Sequence, residues 1–191
     1  MVRVKSKWNV KEKDRSFDEI ASALGFNSWR IAQQALLNLE NAGFQTDTNL
    51  QRLDVIKEFC AFMIHVVDRM AYQRITDEER AELVNALARK LADYVQDNTR
   101  DFEGPGDYRT PFVELLNRRM DDYAEFPFAD DEPGFGMKRF FGDRVTEVMG
   151  EELSKWIGDQ IIDIEAPEAV RTLKRVLRSL LPELREPPQV T

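Results

Sequence analysis

The chain has 191 residues, of which 42% are hydrophobic and 32% charged, and its formal net charge is −8. This composition suits one folded domain and excludes a chain that is disordered throughout. The single cysteine, Cys60, excludes an internal disulfide and any paired-cysteine motif, and no run of about 18 apolar residues is present to make a transmembrane helix.

Residues 1–15 carry Arg3, Lys5, Lys7, Lys11, Lys13 and Arg15 against Glu12 and Asp14. Six cations against two carboxylates make a basic arm of +4 and leave −12 on the rest of the chain. The arm is expected to be flexible. It has no apolar leader, so a cytoplasmic location is expected.

Helix signals begin at Ser16. Glu19 follows at capping-box spacing, and Gly25 fits the closing position of a helix that ends near Leu24. A second helix is expected from Asn27 or Ser28 to Gly43. The segment 49–75 has no glycine or proline and predicts the strongest helix. Thr76 and Glu79 repeat the capping box and open a helix to about Asn98. Thr110-Pro111 reads as an N-cap and first-turn proline for a helix to about Ala124. Residues 126–137 read as a long loop, Lys138 to Asp163 as a helix, and Pro167 as the start of a last helix. Pro182, Pro187 and Pro188 end the ordered part. The expected architecture is all-α: a helical domain over 16–182, about seven helices in a single bundle, a central buried helix near 49–75, and a Pro-containing tail over 183–191.

The helix over 49–75 carries apolar residues over about 200° of its circumference, more than a surface helix shows. Its remaining stripe holds Asp54, Glu58, Ala61, His65, Asp68, Arg69 and Tyr72. The candidate polar site is Glu58, His65, Asp68, Arg69 and Tyr72. Three readings stand side by side. The stripe is a solvated face with charges paired along the helix; or it is covered by another helix and forms a buried polar network; or it is a functional site, in which His65 and Asp68 bind a metal with a further carboxylate or perform acid–base chemistry.

Residues 18–44 contain Ile20-Ala21, Ala23-Leu24-Gly25, Leu37, Leu39-Glu40 and Ala42-Gly43-Phe44. This stretch resembles the helix-turn-helix of bacterial winged-helix regulators such as the GntR family. The resemblance implies a recognition helix with Asn27, Ser28 and Arg30 as DNA contacts. It departs from that pattern in a spacing one residue too long, in the absence of a two-stranded wing after Phe44, and in having Arg30 as its one cation. An ordinary helical hairpin would present the same leucines and glycines.

Other constellations are excluded. A carboxylate di-metal bundle needs two Glu-x-x-His pairs, but His65 is the sole histidine and Phe62 stands three residues before it. The acidic run Asp121, Asp122, Glu125, Asp130, Asp131 and Glu132 lacks calcium-loop spacing and reads as a solvated loop. Gly134-Phe135-Gly136 lacks the Lys-Ser/Thr of a phosphate loop. No nucleophilic serine motif is present. No cofactor and no metal are expected.

The leading expectation is therefore a non-enzymatic protein-interaction or assembly module, with a protein partner or a second copy in a homodimer. The alternatives are a small-molecule or metal site on the 49–75 stripe and a DNA-binding regulator through residues 18–44. Nucleic acid is disfavoured by the acidic body, and no membrane association is expected.

Overall fold

The computed structural model describes residues 15–150 and 154–185. Its elements, in chain order, are helices α1 (Phe17–Asn41), α2 (Asn49–Ala71), α3 (Asp77–Glu103) and α4 (Arg109–Ala124), strands β1 (Phe128–Ala129) and β2 (Glu132–Pro133), helices α5 (Phe135–Met149) and α6 (Ser154–Gln160), a π-turn (Ile161–Glu165), and helix α7 (Ala166–Leu180). The described residues are all-α apart from this two-stranded ribbon. Because α6, the π-turn and α7 run on without a break, the described residues form six helical rods. Among them no helix is long and apolar enough to cross a membrane. Residues 1–14 of the expected basic arm and residues 186–191 of the expected tail lie outside the described residues.

The two capping boxes form as their spacing predicts. Glu19 N donates to Ser16 Oγ at 3.2 Å while Ser16 N donates to Glu19 Oε2 at 3.1 Å. Glu79 N donates to Thr76 Oγ1 at 3.2 Å while Thr76 N donates to Glu79 Oε2 at 2.9 Å. Each box satisfies two donors that the first helical turn would otherwise leave free.

The helix break expected at Gly25 is absent. One helix of 25 residues runs through it. Gly25 instead lets α1 approach α3: a Cβ placed there would stand 3.1 Å from Lys90 Cβ. One turn on, Trp29 stacks on Tyr94 with ring centroids 5.5 Å apart. Helix α1 closes at Gly43, whose φ is +97°. Phe44 N donates to Leu39 O at 3.0 Å and Gly43 N to Glu40 O at 3.1 Å, the paired bonds of a Schellman end that a left-handed glycine permits. A glycine in a helical pattern thus marks either a close helix crossing or a terminus, and Gly25 is the first kind.

Helix α2 threads between the others. Its ten residues Glu58 to Val67 are all buried, and it packs against α1, α3, α4, α5 and α7. Phe62 stacks on Phe141 of α5 at 4.4 Å, and Phe59 meets the same ring edge-on at 4.8 Å. These rings and the flanking aliphatic side chains form one core.

The C-terminal half departs from the expected boundaries. The single helix expected from Lys138 to Asp163 is interrupted at Gly150, with φ +93°. Helices α5 and α6 then lie close together, since a Cβ on Gly142 would stand 3.3 Å from the Gly158 carbonyl oxygen. The last helix, expected from Pro167, is α7, which begins one residue earlier at Ala166. Pro167 sits in the first turn of α7, which runs directly out of the π-turn. Proline removes an N–H and crowds the carbonyl four residues back, so the helix widens just ahead of it: the Ala166 N–H reaches Ile161 O, five residues away. The expected loop 126–137 contains a hairpin whose turn residues, Asp130 and Asp131, both have positive φ (55° and 59°). That is the signature of a type I′ turn, usually marked in sequence by Asn-Gly or Asp-Gly.

Candidate functional site

The polar stripe of α2 is divided by its neighbours. At its N-terminal end Asp54 pairs with Lys57 at 2.7 Å and is open to solvent. In the middle, α4 lies across it. Arg119 donates from Nε to Glu58 Oε2 and from Nη2 to Glu58 Oε1, both at 2.8 Å, and Glu58 is 3% exposed. Arg119 also reaches Asp122 at 3.2 Å. Toward the C-terminal end Asp68 accepts from Arg80 Nη1 at 2.7 Å. Arg80 also lies over the exposed Tyr72 ring, and Arg69 over the Phe128 ring of β1. Glu58 is thus engaged by Arg119, Asp68 and Tyr72 share Arg80, and Arg69 lies over Phe128, so the structure does not gather the stripe around one point.

His65 lies between these pairs and is 2% exposed. Its ring is 5.5 Å from the Tyr123 ring of α4. Neither imidazole nitrogen and not the Tyr123 hydroxyl has a hydrogen-bond partner among the described residues. Burial, and secondarily the charge of Arg69, lowers the His65 pKa to about 4. Burial, and then the negative charge of Glu58, raises the Tyr123 phenol well above its ordinary value. Both groups are held neutral at neutral pH. Asp68, the expected orienting carboxylate, is engaged by Arg80 instead. Among the described residues no group of three or more His, Cys, Asp or Glu side chains is arranged to hold a metal ion. Cys60 is wholly buried, and its thiol is pushed above the ordinary range; it packs as a small apolar residue.

The residues expected to contact DNA all sit on α1. Since α1 is continuous, the turn that a helix-turn-helix places before its recognition helix is missing. Asn27 donates to the Ala23 carbonyl at 2.8 Å, Ser28 is buried in the core-facing side, and Arg30 stands exposed over the Phe26 ring at 5.7 Å.

The acidic segment is also partly buried rather than wholly solvated. Asp131, at the hairpin turn, accepts from Arg74 Nη1 at 2.5 Å and from Arg178 Nη2 at 2.7 Å. These bonds tie the α2–α3 turn, the hairpin and α7 together. They lower the Asp131 pKa despite the opposing effect of burial. Glu132 pairs with Lys174 on the same side.

A second candidate site has no counterpart in the sequence reading. A groove of about 740 Å³ runs between α1 and α7. Its wall includes Glu165, the last residue of the π-turn and only 2% exposed. Glu165 Oε2 accepts from Asn38 Nδ2 and Oε1 from Gln160 Nε2, each at 3.1 Å. Gln33, Gln34 and Arg30 add polar groups along α1, while Leu37 presents an apolar surface that is 45% exposed. The volume lies in the range of small-molecule sites, about 300–1,000 Å³. Pro167, read in the sequence as a helix start, lies just beyond the π-turn, and π-turns are frequent at functional sites. Nothing in the sequence brings Asn38 beside Glu165, 127 positions away.

Comparison with protein-family models, curated proteins and solved structures returns no match to this chain.

Proposed function

We propose that the protein is a non-enzymatic interaction module and that the α1/α7 groove is where its partner docks. The observation that carries this reading is the pairing of an open groove with apolar side chains left in solvent along the same helix. Leu37 borders the groove, and Phe26, 51% exposed, lies eleven residues before it on α1. At about 100° per residue, eleven residues return to nearly the same face. Arg30 falls on that face as well. Large exposed apolar side chains grouped beside a concavity are the usual mark of a binding surface, whereas scattered single ones are not.

The chemistry of the α2 stripe supports the non-enzymatic half of the proposal. A general base has to reach the proton it removes, and His65 is sealed beneath α4 with no carboxylate to orient it. Of the carboxylates along the stripe, Glu58 is held by Arg119 and Asp68 by Arg80.

The proposal is tested by capture from cell lysate with the full chain and with Leu37→Glu. Leu37 is exposed, so the variant is expected to fold. Retention of a defined partner by the parent chain and its loss in Leu37→Glu is the expected result. Equal retention by both, or retention by neither, removes the groove as a docking site.

A further inference from the structure

We infer that the occupant of the α1/α7 groove is a lysine or arginine side chain of a protein partner, with Glu165 as its counter-charge. This deepens the docking reading above and rests on it.

Other carboxylates largely removed from solvent each have a cation. Glu58 is held by Arg119, and Asp131 by Arg74 and Arg178. Glu165 is as buried as Glu58, yet among the described residues it accepts only from two neutral amides, Asn38 and Gln160. No cation of the described chain lies within ion-pair distance of it. An ionised carboxylate offers about four acceptor sites, and here each oxygen accepts from one neutral donor and none from a cation. A buried charge that lacks a counter-charge is costly, and a cation entering the groove supplies one.

The position of Glu165 also suits a recognition role. Asn38 fixes one carboxylate oxygen from α1 and Gln160 fixes the other from α6, so the acceptor is held in place before a ligand arrives. Arg30, the cation on the groove, is drawn to the Phe26 ring. The body of the chain is acidic, so its field attracts a basic segment and favours a partner of opposite charge. A metal ion is the weaker fit, because the neighbours of Glu165 present N–H donors, Glu168, the other carboxylate on the groove, pairs with Arg171, and no group of three acidic, His or Cys ligands forms among the described residues.

The test is a titration of the full chain, followed by NMR of the side-chain amides of Gln33, Gln34 and Asn38. The probes are Nα-acetyl-arginine amide and its neutral isostere, Nα-acetyl-citrulline amide. Saturable shifts with the arginine probe, absent with citrulline and weakened roughly tenfold or more in Glu165→Gln, are expected. If Glu165→Gln fails to fold, the arginine and citrulline arms on the parent chain decide the matter. Equal response to both probes, or to neither, overturns the cationic occupant. A further full-length variant replaces Arg3, Lys5, Lys7, Lys11 and Lys13 with Gln. If that change alone moves the same three amides, the chain's own basic arm fills the groove and the assignment to a partner fails. The Leu37→Glu capture is read separately. Partner loss in Leu37→Glu without an arginine response leaves docking standing and removes the charge assignment; failure of both removes both.

Discussion

Arg119 grips both carboxylate oxygens of Glu58 at 2.8 Å across the α2–α4 interface. The contact is bidentate, and both side chains are largely removed from solvent. Such a pair adds little net stability over apolar packing, but removing one partner strands the other charge. Arg119→Leu is therefore expected to lower unfolding stability by about 3–5 kcal/mol. The double replacement Glu58→Leu with Arg119→Leu is expected to recover part of that loss. Urea denaturation of Glu58→Leu, Arg119→Leu and the double variant checks this; a double variant as unstable as the two single changes added together would show that the ion pair is not coupled as described.

His65 makes stability depend on pH. Its folded pKa of about 4 lies below the value of 6.5 for a free histidine. The unfolded chain takes up a proton as pH falls through about 6.5, while the folded chain does so only near 4. The stabilisation is full above the unfolded pKa, declines through that window and is exhausted below the folded pKa. Between about pH 7.5 and pH 5 the histidine should cost roughly 2 kcal/mol. Chemical denaturation of the parent chain and of His65→Gln at the two pH values isolates this part, because the carboxylates titrate in both proteins. An identical pH response in the two proteins would show that His65 is not buried in its neutral form.

Gly25 is required for space and not for backbone freedom. Placing a leucine there drives a side chain into Lys90, Leu87 and Tyr94 on α3. Gly25→Leu is expected to destabilise by about 1–3 kcal/mol through overpacking. Gly43→Ala, at φ +97° with open space around it, is expected to cost on the order of 1 kcal/mol through backbone strain alone. Thermal denaturation distinguishes the two, since further enlargement at position 43 should add little, whereas at position 25 the cost should climb with side-chain volume. A Gly25→Leu chain as stable as the parent would contradict the close α1–α3 crossing.

The all-α class was legible because periodicity and caps are local. Ser16–Glu19 and Thr76–Glu79 each announce a helix from within one turn, and both boxes form. What failed was the meaning of single residues whose role depends on a distant partner. Gly25 reads as a terminus until Lys90 is seen beside it. Pro167 reads as a helix start and α7 does begin beside it, but out of a π-turn that the sequence does not announce. Asp130-Asp131 carries a type I′ turn without the usual glycine, held from outside by Arg74 and Arg178. The α2 stripe was found as a set of residues, yet whether it was solvated or covered depended on Arg119 and Tyr123, which nothing in α2 indicates. The α1/α7 groove was invisible for the same reason, since its two walls lie far apart in sequence.

Asp131 supplies a prediction about the hairpin. Asp131→Asn keeps the turn geometry available but removes the charge that Arg74 and Arg178 share. Faster amide hydrogen exchange in residues 126–134 and at the C-terminal end of α7 is expected, with α1 and α3 unchanged. Because the folded pKa of Asp131 is lowered, its contribution is present at neutral pH and is lost as pH falls below the ordinary carboxylate range. The difference between parent and variant should therefore shrink in acid, and a difference that stays constant would argue against the ion pair as its cause.

The most direct test of the account is site-specific photo-crosslinking of the full chain in cells, with a benzophenone amino acid at Leu37 and, as a control, at the exposed Glu78 of α3. If the groove is a docking surface, position 37 yields adducts of discrete mass with a partner or a second copy, and position 78 does not. Adducts absent from position 37, or equal at the two positions, would contradict the assignment of the α1/α7 groove as the working surface of this protein.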